Sequence, residues 1–393
     1  MKDFFSLFSM YYMVNLKKRY TDFPMKTTIH VIAIFLSTFI MHWGVNAQTV
    51  NLQVSPKHSS NAQTMAMTHS SFYHRAYCEI ANMLDGKTEL SIKRAVFLQE
   101  WAYLDGNLDY NAFCLGIDTV ASFLKKFIVI NHLQQYRTGK NFALFEYFSK
   151  PYSGNGYKPF TYDYEDLGGT NDYTKLFVTK LMRTHSGQCR SLPLYYKILA
   201  EDIGAEAYIA FAPQHVFIRH REEEDSNKWV NVELTTQSLS REIFYIESFG
   251  ISDVAIRNKV YLYPLTNRET VAYLLSELAS GYLHKYKHYD DFVWRCVTKS
   301  LKYYPQNILA LQHKGNYLNY LLFEYLVAHE NVYDDYAHLL DEQWNANNSL
   351  IKKLGWSKMD YEIYKKLLQG VSEKMKCKGV NEKLIQAEIE HSQ

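Results

Sequence analysis

The chain of 393 residues is poor in cysteine and shows no cysteine pattern. Its five thiols are Cys78, Cys114, Cys189, Cys296 and Cys377. No pair has Cys-x-x-Cys spacing, and no His-Glu-x-x-His stands among the histidines. The spacings of a zinc site or a dithiol redox motif are therefore absent, and nothing in the sequence requires a metal or another cofactor. The chain also lacks an excess of either charge. Its 43 Lys and Arg against 41 Asp and Glu leave a formal charge of +2, so no strong field for nucleic acid or a membrane surface is expected. Long hydrophobic runs are missing too. The most apolar stretch, residues 29–43 (IHVIAIFLSTFIMHW), is shorter than the roughly 18–20 residues of a membrane span. Ser153-Gly154-Asn155-Gly156 lacks the Lys-Ser/Thr that would make it a phosphate-binding loop.

What is present begins with a targeting pattern. Lys26 precedes the apolar run, and Val45-Asn46-Ala47 follows it with residues tolerated before a cleavage point. This reads as a secretory signal peptide over residues 1–47, with Met25 a more natural start than Met1. The expectation is an exported chain, periplasmic, cell-surface or secreted, with no membrane span after signal removal. In that setting an odd number of thiols leaves one as a candidate reactive group, and the pairing of the other four stays open. Residues 48–70 are polar and rich in Ser and Thr, which predicts a disordered linker.

Residues 71–150 carry apolar stripes at helical spacing, including Ile92, Ala95 and Val96, then Val120, Phe123, Leu124, Phe127 and Ile128. They predict a helical layer. An aromatic loop over residues 151–169 follows, readable as a cleft wall or as plain surface. Residues 172–182 predict a short helix.

The chemistry concentrates in residues 184–235. Gly187-Gln188-Cys189 opens a helical run with Tyr195, Ile198, Leu199 and Ile203 at helical steps and Gly204 at its end. Ser191 suits an N-cap and Pro193 a first turn. Cys189 is thus placed at a helix N-terminus, where the macrodipole favours thiolate over thiol. Residues 205–218 predict a strand interrupted near Pro213 and carrying His215. Residues 219–228 form a charged hairpin tip. On the return strand Trp229, Asn231 and Glu233 share one face. A hairpin puts His215 beside Glu233, and a carboxylate there fixes the imidazole tautomer and stabilises the imidazolium. Taken singly, such a cysteine is more often a small buried hydrophobe, and such a histidine a satisfied core residue. Their order and context single them out together.

These residues resemble the transglutaminase-like superfamily, whose core is papain-like. Gly187-Gln188-Cys189-Arg190 is similar to its Gly-Gln-Cys-Trp motif, His215-Val216-Phe217 to its His-x-Trp strand, and residues 229–235 (WVNVELT) to its Trp-x-x-x-Asp-Pro-Thr strand. The resemblance covers about fifty residues. It implies Cys189 as nucleophile, His215 as general base and acid, and Glu233 as orienting carboxylate. Asn231 is the substitute for Glu233, and Gln188, Asn231 and Trp229 are candidates for the site wall or oxyanion contacts. Glu233 replaces Asp, Leu234 replaces Pro and Arg190 replaces an aromatic residue. The acidic sites behind calcium dependence in some members are not seen.

Val260 to Pro264 predicts a short closing strand. From about residue 266 the pattern is helical. Gly281 and Gly315 stand 34 residues apart, as do Tyr286 and Tyr320, and Pro305 falls at a repeat end. This resembles a degenerate pair of tetratricopeptide repeats, whose concave face can hold a peptide or protein partner; a plain helical cap is the other reading. Residues 374–393 predict a charged helix. The expected architecture is α+β: a transglutaminase-like domain over residues 71–265 with a helical N-terminal part, and a helical region over 266–393. The expected function is hydrolysis of a peptide or carboxamide bond through an acyl-enzyme. The alternative is a catalytically silent scaffold binding a peptide or protein partner.

Overall fold

The computed structural model describes residues 63–166 and 168–357. The expected signal peptide, most of the expected linker, Cys377 and the expected helix over residues 374–393 lie outside the described residues. The fold is α+β, mostly helical, with one antiparallel sheet and one parallel pair of short strands.

Helix α1 spans Gln63–Leu84 and α2 spans Ile92–Tyr103. Residues 63–70, expected in the linker, are instead the first two turns of α1. Met65, Ala66 and Met67 favour helix and outweigh the neighbouring Ser and Thr. Ser91 caps α2, its side chain accepting from the Arg94 N–H. Helix α3 (Tyr110–Ile130) is capped by Asp109 and followed by α4 (Gly139–Ser149). Strand β1 (Thr161–Tyr162) then pairs in parallel with β2 (Ser186–Gly187). Between them the stretch expected as one helix is split. A 3-10 turn, Tyr173–Leu176, gives way at the extended backbone of Phe177 to α5, Val178–Thr184. The split has a distant cause. The buried Glu100 carboxylate of α2 accepts the Val178 and Thr179 N–H groups at 2.6 and 3.0 Å, satisfying the first donors of α5.

Helix α6 (Ser191–Ile203) is the centre of the core, with Leu192, Tyr196, Ile198, Leu199 and Ala200 fully enclosed. Helices α3 and α4 pack on one side of it and the sheet on the other. The sheet runs in the order β3 (Tyr208–Ala212), β4 (His215–Arg221), β5 (Trp229–Glu233), β6 (Ser238–Ser240), all antiparallel. The single interrupted strand expected over residues 205–218 is in fact two strands joined by a tight turn. Pro213 supplies the first corner residue and Gln214 takes φ +56°, so Ala212 pairs directly with His215. Helices α7 (Glu242–Phe249) and α8 (Asp253–Arg257) and the link between them cover the sheet through Tyr245, Ala255 and Ile251, packed against Ala210, Ala212 and Phe217.

Residues 260–264 do not form the expected strand, because Lys259 and Leu262 both take positive φ and break the extension. The segment still closes the sheet. The Leu262 and Leu265 N–H groups donate to the Phe211 and Ile209 carbonyls at 2.9 Å, covering the free edge of β3.

Four further helices follow as two antiparallel hairpins: α9 (Asn267–Tyr286) with α10 (Asp291–Tyr303), and α11 (Ile308–Ala328) with α12 (Asp335–Lys353). Helices α1 and α2 pack on α9, so the helical N-terminal layer lies against the C-terminal helices as well as the core. The two glycines 34 residues apart meet different neighbours. A Cβ on Gly281 would lie 3.3 Å from the Tyr173 ring and 3.4 Å from the Tyr73 hydroxyl, whereas one on Gly315 would meet the Asn347 amide at 3.0 Å.

The Ser153–Asn155 turn is a structural pin. Buried Asn155 donates to the Tyr147 and Lys150 carbonyls at 2.7 Å and accepts the Tyr152 N–H at 2.9 Å, tying the turn to the end of α4. Asn155→Ala leaves buried backbone groups unpaired and is expected to cost about 2–3 kcal/mol. Urea unfolding measures it, and a loss under roughly 0.5 kcal/mol, the size of an ordinary surface change, contradicts the pin.

Candidate active site

Cys189 lies in the turn between β2 and α6. The first helical bond runs from the Leu192 N–H to the Gln188 carbonyl at 3.1 Å, so the thiol stands at the start of the helix. Ser191 is the first helical residue rather than the cap, and its hydroxyl accepts the Gln188 N–H at 3.1 Å. The turn is tight enough to demand glycine before it. A Cβ on Gly187 would sit 2.7 Å from both Leu181 Cδ1 and Ser191 Oγ. Parallel pairing brings Tyr162 level with Gly187 and its hydroxyl close to Cys189. Burial first, and then the nearby Cys189, hold Tyr162 far above the ordinary phenol range, so it stays neutral beside the sulfur.

His215 opens β4 and Glu233 ends β5. Ile218 pairs with Val232, which sets Glu233 across from Phe217 and diagonal to His215 on the same face. His215 Nε2 lies 2.5 Å from Glu233 Oε2. The ring's other nitrogen is left for Cys189, which lies close enough to raise the basicity of His215. Thiol, imidazole and carboxylate therefore form one chain of contacts.

The carboxylate is held at both ends. Glu233 Oε1 accepts the Thr235 N–H at 3.0 Å and its hydroxyl at 2.6 Å, and Oε2 accepts the Tyr245 hydroxyl at 3.1 Å. Helix α7 brings Tyr245 and Phe249 to the site on one face, four residues apart. Phe249 stacks on the His215 ring at 5.7 Å and 17°, and Tyr245 on Phe217 at 4.2 Å and 18°. Burial acts to lower the basicity of His215. The Glu233 charge, the nearby Cys189 and the hydrogen bond to Glu233 outweigh it and push the imidazole up to about 10. Glu233 moves the other way. Burial would raise it, but His215 and Thr235 hold it below its ordinary value. The pair is an imidazolium and a carboxylate.

The remaining candidates fall elsewhere. The Gln188 side chain accepts the Gly168 N–H at 2.8 Å and donates to the Asp166 and Glu165 carbonyls at 2.7 and 3.3 Å. Its amide braces Glu165, Asp166 and Gly168 against the cysteine turn and is not directed to an oxyanion. Asn231 does not substitute for Glu233. It lies opposite Arg219 and donates to the Ser240 carbonyl at 3.0 Å. Trp229 is at the far end of β5 from Glu233, its ring 3.7 Å from the Arg221 guanidinium and 4.8 Å from that of Arg219. Sequence reasoning missed Tyr162 and Tyr245, which reach the site from outside the motif-bearing strands. Thr235, part of the motif, acts through the carboxylate.

The four cysteines among the described residues are free thiols. Among those residues no cluster of His, Cys, Asp and Glu is arranged to hold a metal, and no helix is long and apolar enough to cross a membrane. Comparison with protein-family models, with curated proteins and with solved structures returns no match.

The charge pair has a pH signature. Because His215 is raised, its contribution to stability is complete below its ordinary 6.5 and is lost as pH rises toward about 10. Because Glu233 is depressed, its contribution is complete above its ordinary 4.5 and is lost as pH falls through its lower native value. The stability difference between wild type and Glu233→Gln is therefore expected to peak between these two ordinary values and to shrink on either side. Denaturant titrations across pH 4–10 test this; a difference that grows steadily toward pH 10 contradicts it.

Proposed function

We propose that the chain is an exported, transglutaminase-like cysteine enzyme that hydrolyses a peptide or carboxamide bond. The supporting observation is the continuous contact from Cys189 through His215 to a carboxylate fixed by Thr235 and Tyr245. With His215 protonated, the cysteine can act as thiolate. The thiolate attacks the carbonyl carbon, and the C–N bond breaks as His215 passes its proton to the leaving amine. A water molecule, giving a proton back to His215, then attacks the thioester and releases the acid and the free cysteine. Glu233 keeps the imidazole oriented throughout and stabilises it whenever it carries the proton. Tyr162 and the backbone N–H groups at the start of α6 are the nearest donors for the oxyanion. Water is the abundant acceptor, which favours hydrolysis over cross-linking. In this reading the hairpins α9/α10 and α11/α12 are repeat-like and present a face to a peptide or protein partner, and residues 1–47 direct export.

Limiting iodoacetamide at neutral pH is expected to label Cys189 ahead of Cys78, Cys114 and Cys296. His215→Ala is expected to abolish that selectivity, and turnover of peptide amides is expected to persist on the alkaline side until pH approaches the His215 value near 10. Slow labelling that ignores the His215 substitution would sink the enzyme reading and favour the binding scaffold.

A further inference from the structure

Both neighbours of Cys189 are anchored away from it, in different directions. Gln188 reaches Glu165, Asp166 and Gly168, as described above. Arg190 occupies the N-cap position of α6 but makes no capping bond. An arginine is a poor choice there by local rules. It lacks a capping oxygen, and its charge opposes the positive end of the helix. Its guanidinium is also almost wholly enclosed, the side chain being 9% exposed.

What it touches explains the placement. Nη2 donates to Gln99 Oε1 of α2 at 2.8 Å, and Nε lies 3.4 Å from Glu277 Oε2 of α9. The guanidinium carbon stands 5.7 Å from the centre of the Tyr173 ring. The partners are themselves fixed. Glu277 accepts the Tyr273 hydroxyl and, at 3.5 Å, the Tyr173 hydroxyl, while the Gln99 amide donates to the Leu274 carbonyl. Burial opposes the charge on Arg190, but Glu277 and the surrounding hydroxyls outweigh it and keep it protonated.

A buried ion pair of this kind adds little to stability compared with apolar residues of the same size. It does fix a geometry. We infer that Arg190 is a positioning residue for Cys189, holding the cysteine turn against α2 and α9 so that the sulfur meets His215. The C-terminal helical region thereby becomes part of the catalytic machinery, through Glu277. This inference rests on the reading of Cys189 as nucleophile.

The test separates position from stability. Arg190→Met and Glu277→Met each leave one buried charge unpaired and are expected to lower the Tm. The double variant removes both charges and is expected to recover most of that loss. The readout is the His215-dependent rate of Cys189 labelling by iodoacetamide at pH 7, with His215→Ala as the reference in each background. The double variant is expected to stay roughly 10- to 100-fold slower than wild type despite its recovered Tm, the size of effect a small misplacement produces. A rate that returns together with the Tm would make Arg190 structural only and overturn the inference. If the double variant does not fold, Arg190→Lys serves instead. It keeps the charge but lacks the fork that spans Gln99 and Glu277. A folded Lys variant labelled at the wild-type rate overturns the inference; one labelled at least about tenfold more slowly supports it. Wild-type protein showing no His215-dependent labelling would defeat the reading of Cys189 itself, and this inference with it.

Discussion

The 2.5 Å contact between His215 and Glu233 is the constraint around which the sheet and its covering helices are arranged. An enclosed imidazolium is tolerable only beside a fixed negative charge, and an enclosed carboxylate only with its oxygens satisfied. The fold meets both conditions at once. Strand register sets the two residues diagonally, Thr235 closes one carboxylate oxygen, and Tyr245 arrives from α7 to share the other. The aromatic stack of Phe217, Tyr245 and Phe249 encloses that pair.

Around this pair the molecule brings three otherwise separate layers to one turn. The parallel strands β1 and β2 bring Tyr162 to the sulfur, α6 brings the helix start, and α2 with α9 takes hold of Arg190. Glu100, next along α2 from Gln99, caps α5 just upstream of the cysteine turn. Its burial, partly offset by those hydrogen bonds, pushes it up to about 7. The helical layers are thus wired into the turn by buried polar contacts rather than laid over it as a separate cap.

Much of the site could be read from the chain because its signals are local. Alternation along residues 229–233 put Trp229, Asn231 and Glu233 on one face, and the charged tip between two apolar runs marked the hairpin that joins His215 to Glu233. The helical steps from Tyr195 to Ile203 and the closing Gly204 marked α6. The errors were local signals read correctly but overruled. Pro213 looked like an interruption of one strand, yet with a left-handed residue after it the same proline makes a turn between two. Residues 172–182 had helical composition, but a carboxylate nearly eighty residues earlier chose where α5 begins.

By itself the sequence determined the helix and strand periods, the order of thiol, imidazole and carboxylate, and the glycine that the cysteine turn needs. These follow from sterics and side-chain spacing within a few residues. Tertiary structure alone decided which of the two candidates on β5, the Glu233 carboxylate or the Asn231 amide, meets His215, because the hairpin register leaves Glu233 within reach while Asn231 bonds to β6. It alone brought in Tyr162, Tyr245 and Glu277, whose distance along the chain carries no periodic signal. And it alone explained Arg190, an arginine that breaks the local rule for a helix start because its partners lie on helices far away in sequence.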